Sequence, residues 1–543
     1  MGISLNKEFQ RLEKEYFDSL IALSPLTASY LGLHEYDKEL DHVNKDSIKK
    51  IVDLNSEFVK KFSSFSDEDL HPDQIITRKL LDYEEKLSNF NFYTLKTYEM
   101  ELDAAQFIGE AIFPLYFGQY GSIEERIGSI IARLNQTERV IDEYKSRVVK
   151  YVRLWVEMAI QSVDGTLSFI DTIISSTESI ISRELHARLR ESAEKAKNHL
   201  SNYSKYLKKL LPNANTPFYI GKENFNTLIS LRNLGMNVQE IYTLGEDYYR
   251  KTSKRLEEIS SRLGYSSVSE ARDKILSGNF NDFSEIIDFY RNAIEDSKKF
   301  VQESKFATVP NKGIKVIETP AYMRHLIPFA AYMQPAKFED NSEGTYLVTP
   351  PENADGLKRF NSFDITNTSI HEAFPGHHLQ LSVANMNSSY IRLVAGNAVE
   401  FIEGWALYCE EETLNMGFKN ELQREFVMLN DLLFRAARII IDVKLSSGEM
   451  TYGEAVKMLM DSTGMEESGA KAEVNRYTQT PGYQLSYLIG KHLLTALINE
   501  YRDKGLNNCR IHDELLKNGN LPIFLHREVF ERIFSNSYME NEQ

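Results

Sequence analysis

Residues 122–163 have the sequence SIEERIGSIIARLNQTERVIDEYKSRVVKYVRLWVEMAIQSV, which predicts a series of helices. They begin a tract of the same character that continues to residue 215. Apolar and charged residues recur there at helical spacing, and the first proline is Pro212. No strict heptad persists, which argues against a coiled coil. The tract therefore predicts several long helices packed side by side. The stretch KEFQRLEKEYFDSLIAL (7–23) predicts a further helix that ends before Pro25.

The composition agrees with a mostly α protein. The chain has 543 residues but only 27 Gly and 14 Pro, so few residues interrupt helices. A net charge of −16 argues against a nucleic-acid partner and against an anionic membrane surface. Cys409 and Cys509 form no disulfide framework, and no apolar run has the length of a signal peptide or membrane span. We therefore expect a cytoplasmic protein, and the sequence predicts no oligomeric state.

Two short segments in the middle of the chain predict a small β-sheet. KVIETPAYM (315–323) and GTYLVTP (344–350) are β-branched and aromatic and are bounded by Pro or Gly. The stretch between them carries two prolines and predicts irregular structure. Helices are predicted again after residue 365, with breaks near Gly417, Gly448 and Pro481-Gly482.

This pattern predicts a helical N-terminal lobe at 1–305 and a second region at 306–543. The second region would contain the small sheet (306–350), helices at 365–415 and C-terminal helices to residue 543. No flexible Gly/Ser linker joins the two parts, so we expect one integrated unit.

The motif HEAFPGHH (371–378) has the residue types of a metal site but not the usual spacing. The zinc-peptidase pattern His-Glu-x-x-His fails because the residue four after His371 is Pro375. In an unbroken helix His377 would lie about 240° round from His371, and His378 about 10 Å further along the axis. Neither histidine could join His371 at one metal ion in a regular helix.

Pro375 and Gly376 are expected to break that helix. The proline ring clashes with the carbonyl of His371, and glycine adds backbone freedom, so the extra residues can be absorbed there. We prefer His377 as the second ligand because it follows Gly376, as in many His-Glu-x-Gly-His peptidases. His378 remains an alternative ligand or a substrate-binding group. The competing interpretation is a hydrogen-bonded histidine pair at a proline-broken helix.

A third ligand is expected on the helix VEFIEGWALYCEEE (399–412). Glu403 lies among apolar and aromatic residues, and a buried carboxylate needs a partner such as a metal ion. The alternative partner is an arginine. Glu410 shares the helical face of Glu403, but the acidic run 410–412 predicts a solvated face.

Near the C-terminus, RYTQTPGYQLSYLIGKH (476–492) surrounds a Pro-Gly break with tyrosines and an arginine. Tyr487 or Tyr483 could donate a hydrogen bond to an oxyanion, and Arg476 could bind a substrate carboxylate. The alternatives are aromatic packing for the tyrosines and a structural salt bridge for the arginine.

Three motifs together resemble the DUF885 proteins, a family placed near the zinc metallopeptidases. They are HEAFPGHHLQL (371–381), EGWALYCEE (403–411) and PGYQLSYLIG (481–490); weaker similarities are PLTASYLGLHEYD (25–37) and ETPAYMR (318–324). The resemblance implies a fold like that of the gluzincin peptidases, which include the carboxypeptidase Taq and thimet oligopeptidase groups, with the small sheet beside the active-site cleft. Residues 306–543 would then form the catalytic region, and the helices at 365–415 would bind the metal. The resemblance also implies zinc and peptide hydrolysis.

The resulting hypothesis is a zinc-dependent metallopeptidase for short peptides, with carboxypeptidase- or dipeptidase-like activity if Arg476 binds the substrate. The predicted ligands of one Zn²⁺ are His371, His377 and Glu403. Glu372 is the predicted general base, and the strand GTYLVTP could pair with substrate backbone. One alternative is a metal-dependent amidohydrolase acting on a non-peptide amide. The other is a helical binding protein with a structural metal. The ligand types also suit iron, cobalt or manganese.

Overall fold

The computed structural model describes residues 5–118, 120–278, 280–319, 330–339, 343–351 and 354–534. Within this part of the chain, thirteen α-helices precede the sheet. They are α1 (Lys7–Leu23), α2 (Pro25–Leu31), α3 (Lys45–Phe62), α4 (Pro72–Asn89), α5 (Ala104–Phe117), α6 (Ile123–Leu134), α7 (Thr137–Arg147), α8 (Arg153–Thr177), α9 (Arg183–Leu210), α10 (Lys222–Leu231), α11 (Val238–Arg262), α12 (Val268–Ile275) and α13 (Phe283–Glu303).

The long tract that predicted helices forms four of them, α6 to α9. Ser122 and Glu125 form a capping box at the start of α6, and the Ser182 side chain accepts a hydrogen bond from the Leu185 N–H at the start of α9. The tract ends where Leu211 and Pro212 leave the regular helix. Local capping therefore fixes the boundaries that apolar spacing alone leaves open.

A three-stranded sheet follows, with the order β1-β3-β2. Strand β1 (Ile314–Glu318) pairs in parallel with β3 (Gly344–Val348), and β2 (Ala330–Met333) pairs antiparallel with β3. The predicted strands thus form, but the stretch between them is not wholly irregular, since it contains β2. Four residues next to Pro335 give a weak strand signal, and pairing with β3 supplies the missing backbone hydrogen bonds. Residues 320–329, which include most of ETPAYMR, lie outside the described residues.

Ten α-helices complete the described chain. They are α14 (Ser362–Glu372), α15 (His377–Ala384), α16 (Tyr390–Ala395), α17 (Val399–Asn415), α18 (Leu422–Ser447), α19 (Tyr452–Thr463), α20 (Glu467–Gln479), α21 (Ser486–Asp503), α22 (Asn508–Lys517) and α23 (Ile523–Ile533). The predicted breaks occur: Gly448 ends α18 with a φ of 80°, which is the left-handed conformation that favours glycine at a helix C-terminus.

The hydrophobic cores cross the predicted boundary at residue 305. In the largest core, Phe9 and Leu80 of the first helices pack in one cluster with Ile370, Trp405 and Phe530. A second shared core joins α10 to α12 with α17, α18 and α21. By contrast, α5 to α9 have a core of their own. Helices α14, α15 and α17, which carry HEAFPGHH and Glu403, are therefore embedded between N-terminal and C-terminal elements.

The prediction of a mostly α protein with a small sheet is confirmed. None of the helices in the described ranges is both long and apolar enough to span a membrane.

Candidate metal centre

The motif helix breaks where Pro375 and Gly376 predict it. Helix α14 ends at Glu372 and α15 begins at His377, and the Phe374–Pro375 peptide bond is cis. A Cβ atom on Gly376 would collide with the carbonyl oxygen of His371, so the chain can turn this tightly only with glycine there. Trp405 of α17 donates its indole N–H to the Pro375 carbonyl at 2.8 Å and fixes the turn to the next helix.

The break brings His371 and His377 to the same carboxylate. Ligand atoms of His371, His377 and Glu403 all lie within 4.8 Å of one another. The Nε2 atom of His377 is 3.5 Å from Glu403 Oε2, and the Nε2 atom of His371 is 3.8 Å from it. Ligand atoms of one tetrahedral zinc ion lie about 3.3 Å apart. The three side chains therefore have the donor types and spacing of a single metal site.

Buried hydrogen bonds orient both imidazole rings. His371 Nδ1 donates to Glu410 Oε1 at 2.7 Å, and His377 Nδ1 lies 3.5 Å from Gln380 Oε1. The Glu410 side chain is 1% exposed. With the Nδ1 atoms engaged, both Nε2 atoms point to the shared site. Such partners of metal-binding histidines fix the tautomer and increase metal affinity.

The charges of the site are mutually stabilised. Burial raises the pKa of Glu403, but a hydrogen bond from His377, the charges of both histidines and a hydrogen bond from Tyr487 bring it to about 2. Burial is the largest single effect on the pKa of His371 and lowers it, but the hydrogen bond to Glu410 together with the charges of Glu410, Glu372 and Glu403 gives a net increase. Glu403 is therefore an anion ready to bind a cation.

Helices α17 and α21 cross at very close range, which places Tyr487 beside Glu403. A Cβ atom on Gly490 would collide with the Glu400 carbonyl, and one on Gly404 would lie 2.5 Å from the Gly490 carbonyl carbon. Only glycines allow these two backbones to approach so closely. The motifs EGWALYCEE and PGYQLSYLIG are thus the two sides of one helix crossing.

Tyr483 and Tyr487 lie together on the C-terminal side of the site, with ring centroids 6.1 Å apart. Burial and the charge of Glu403 raise the pKa of the Tyr487 hydroxyl, while Arg438 and Arg476 lower it. Tyr483 shows the same pattern, again with burial as the largest cause. Both hydroxyls therefore remain protonated hydrogen-bond donors at neutral pH.

The turn that carries these tyrosines is held by two buried charged residues. Asp442 of α18 accepts hydrogen bonds from the backbone N–H groups of Gly482 (2.9 Å) and Leu485 (3.1 Å). Arg232, which follows α10, donates to the Gly482 carbonyl and, at 2.7 Å, to Glu400 Oε2. The N-terminal helices thus contribute directly to the position of the tyrosines.

Glu372 lines a cavity of about 410 Å³ between α14 and the sheet. Ala330 and Ala331 of β2 and Tyr346 of β3 form the opposite wall. The general-base candidate Glu372 therefore faces β2, the strand at one edge of the described sheet. A peptide backbone in this cavity could contact Glu372 and β2 together.

His378 points away from the three ligand candidates. Its Nδ1 atom is 2.8 Å from the Tyr332 hydroxyl of β2, and its Nε2 atom is 3.3 Å from the Lys312 carbonyl. Burial lowers the pKa of His378 to about 4, so the ring is neutral. Of the two alternatives for the second ligand, the geometry favours His377, and His378 ties the edge strand to α15.

Arg476 forms an ion pair with Glu473 at 3.0 Å, as the structural alternative for this residue predicts, and its side chain is 48% exposed. The predicted solvated face at 410–412 is wrong for Glu410, which is buried under His371. The sequence signal was present, since Glu410 follows Glu403 by two helical turns.

Asp442 and Arg438 were missed by the sequence analysis. Asp442 stands alone in the apolar run RIIIDV, a pattern typical of a buried acid with partners. Arg438 begins the same run and carried no separate signal.

The chain belongs to the family described as "Bacterial protein of unknown function (DUF885)", which matches residues 25–529. This confirms the resemblance to the DUF885 family that the three motifs carry. No curated protein matches the chain.

Two solved structures share the fold. One, described as a "putative lipoprotein of unknown function" from Shewanella oneidensis, has a TM-score of 0.79 at 20% identity and covers 96% of this chain and 99% of its own. The other, described as "the putative lipoprotein from Colwellia psychrerythraea", has a TM-score of 0.81 at 18% identity and covers 98% of this chain and 99% of its own.

Proposed function

We propose that the protein is a metal-dependent hydrolase of peptide bonds that binds one zinc ion through His371, His377 and Glu403. The observation that carries the proposal is the convergence of two imidazole Nε2 atoms on one carboxylate oxygen, at 3.5 and 3.8 Å. Three protein ligands of this type are typical of catalytic zinc sites, which leave one position for water. Structural zinc sites instead have four protein ligands.

The surrounding side chains have the groups that amide hydrolysis needs. A zinc ion bound there would act as a Lewis acid and lower the pKa of a water molecule. Glu372 takes a proton from the attacking water and passes it to the leaving amine. Tyr487, or Tyr483 beside it, donates a hydrogen bond to the oxyanion that forms from the substrate carbonyl. Glu410 holds His371 in the required orientation.

The substrate backbone is proposed to pair with β2. The strand GTYLVTP cannot take the role expected of it, because it is β3, the central strand with a partner on each side. Strand β2 is at the edge of the described sheet, and Ala330 and Ala331 line the cavity of Glu372. An extended peptide added there would lie alongside Glu372, in the β-strand addition by which extended peptides often bind.

Hydrolysis of a non-peptide amide would use the same residues and remains the second candidate. The deciding experiment is incubation of the purified protein with a mixed short-peptide pool and with non-peptide amides, followed by mass spectrometry. We expect metal-dependent peptide cleavage that a chelator abolishes and zinc restores. Glu372→Gln, which keeps the shape of the side chain, should reduce turnover at least about 100-fold while zinc stays bound. Cleavage that survives both treatments would disprove the proposal.

The location of the protein is a separate question. The sequence predicts a cytoplasmic protein, whereas the lipoprotein description of the two similar structures suggests a non-cytoplasmic location for those proteins. Cell fractionation of the source organism with an antibody to this chain would decide between the two.

A further inference from the structure

Two arginines beside the metal-facing tyrosines share a single carboxylate. Arg438 of α18 donates Nη2 to Glu473 Oε2 at 2.7 Å, and Arg476 of α20 donates to both oxygens of Glu473 at 3.0 and 3.2 Å. The Tyr477 hydroxyl also donates to Glu473, at 2.7 Å. Both guanidinium groups are permanently charged. One carboxylate cannot balance them, so the cluster carries a net positive charge.

This positive cluster lies next to the proposed catalytic groups. The Arg438 guanidinium is 4.8 Å from the centre of the Tyr487 ring. Both arginine charges act on the hydroxyls of Tyr483 and Tyr487, and so does the charge of Glu403. The two tyrosines therefore lie close both to Glu403 and to the arginines.

Both arginines retain hydrogen-bonding capacity. Nε and Nη2 of Arg438 are engaged by Tyr477 and Glu473, but Nη1 has no acceptor among the described residues, although the side chain is only 6% exposed. The Arg476 side chain is 48% exposed. The chain as a whole has a net charge of −16, so this positive cluster beside the candidate active site has the opposite sign to the whole chain. Its chemistry matches a carboxylate ligand.

We infer that Arg438 and Arg476 bind the α-carboxylate of the substrate's C-terminal residue, so that the substrates are peptides with a free C-terminus. This inference rests on the proposed hydrolase function. Water adds its hydroxyl to the carbonyl carbon, the C–N bond breaks, and the proton goes to the amine of the C-terminal fragment that is released. The residues nearest the carboxyl end of the substrate are then placed on the side of Tyr483 and Tyr487.

The test compares one peptide in two forms, with a C-terminal carboxylate and with a C-terminal amide. We expect the acid to be cleaved and bound at least about tenfold better, because a charge-assisted bidentate contact is lost in the amide. Arg476→Gln should raise KM for the acid about tenfold to 100-fold with little change in kcat, and should leave the amide unaffected. Arg476→Lys, which keeps the charge, should restore part of the loss.

Arg250→Gln is the matched control, since Arg250 forms an exposed i,i+3 ion pair with Asp247 on α11, as Arg476 does with Glu473 on α20. Binding of both peptides to zinc-loaded Glu372→Gln by calorimetry gives a readout that needs no turnover. Equal binding and cleavage of acid and amide would overturn the inference while hydrolysis stands. An equal loss for both peptides in Arg476→Gln would also overturn it. Absence of metal-dependent cleavage of every peptide would instead remove the hydrolase proposal, and this inference with it.

Discussion

Glu410 of α17 holds the imidazole ring of the candidate metal ligand His371 from the side opposite the proposed metal site. It belongs to an acidic run at 410–412 that is typical of a helix surface, yet its carboxylate is buried and accepts a hydrogen bond from His371 at 2.7 Å. Its second oxygen accepts from Asn367 at 2.8 Å. A carboxylate in this position orients a metal-binding imidazole and increases its basicity.

Glu410→Gln is therefore expected to weaken zinc binding about tenfold to 100-fold, because the amide orients the ring without its negative charge. Competition with a chromophoric chelator measures the zinc Kd. Glu411→Gln is the control, because Glu411 is one residue further on and pairs with Lys491 instead. An unchanged Kd in Glu410→Gln, with wild-type circular dichroism, would show that Glu410 does not act on the metal site.

Asp364 offers a prediction about pH. Burial and the charges of Asp431 and Glu410 raise its pKa from 3.8 to about 7. Between these two pH values the folded protein keeps a proton that the unfolded chain has lost, so stability falls as pH rises through this range. Asp364→Asn removes the titration. The unfolding free energy of Asp364→Asn minus that of the wild type should be near zero or negative at pH 4. Above pH 7 this difference should be larger by up to about 4 kcal/mol.

Thermal unfolding of both proteins at pH 4.5 and pH 8 measures this difference. Asp461→Asn, at an exposed aspartate 62% accessible in its side chain, is the control and should show a much smaller pH-dependent difference. A difference between wild type and Asp364→Asn that does not change with pH would contradict the assignment.

Among the elements, the crossing of α17 and α21 matters most, because it joins the candidate metal ligand Glu403 to the oxyanion candidate Tyr487. A side chain at position 490 would collide with the Glu400 carbonyl. Gly490→Ala should therefore force the helices apart, destabilise the protein by about 2 kcal/mol or more, and reduce zinc binding through displacement of Glu403.

Gly128→Ala is the matched control, since this residue lies within α6 and an added Cβ would meet nothing within 4 Å. It should be neutral or stabilise the protein by up to about 1 kcal/mol. Melting temperatures and zinc content of both variants test the pair. A Gly490→Ala variant that keeps both values would show that the helices can separate without cost.

At the level of individual helices and strands, the sequence predicts much of the structure. Apolar spacing and the scarcity of proline predict the helices, and the steric effects of Pro375 and Gly376 predict the break between α14 and α15. What the sequence could not supply was the pairing of distant elements. Strand β2 has only a weak local strand signal, and whether β3 lies at the centre or the edge of the sheet depends on partners far away in the chain. The choice between His377 and His378 likewise needed the position of Tyr332.

For the whole molecule, the shared cores predict that the two halves depend on each other. Helices before residue 305 bury Phe9 and Leu80 in the same cluster as Ile370 of α14 and Trp405 of α17. Arg232 reaches across to Gly482 and Glu400. We therefore expect a fragment of residues 306–543 to be unfolded or aggregated and unable to bind zinc.

A fragment of residues 102–214 is the comparison, because α5 to α9 have their own core. It should be helical and should unfold cooperatively. Circular dichroism and zinc binding of both fragments test this expectation. A soluble 306–543 fragment that binds zinc would instead establish a separate catalytic domain.

We propose that His371, His377 and Glu403 hold one catalytic zinc ion, and the first measurement to make is the metal content of the purified protein. Elemental mass spectrometry of protein equilibrated with zinc and then desalted should give about one zinc per chain for the wild type and for Glu411→Ala. Glu403→Ala should retain far less, since a carboxylate ligand is lost. A wild-type protein without bound zinc, or a Glu403→Ala variant with a full complement, would contradict the proposed centre.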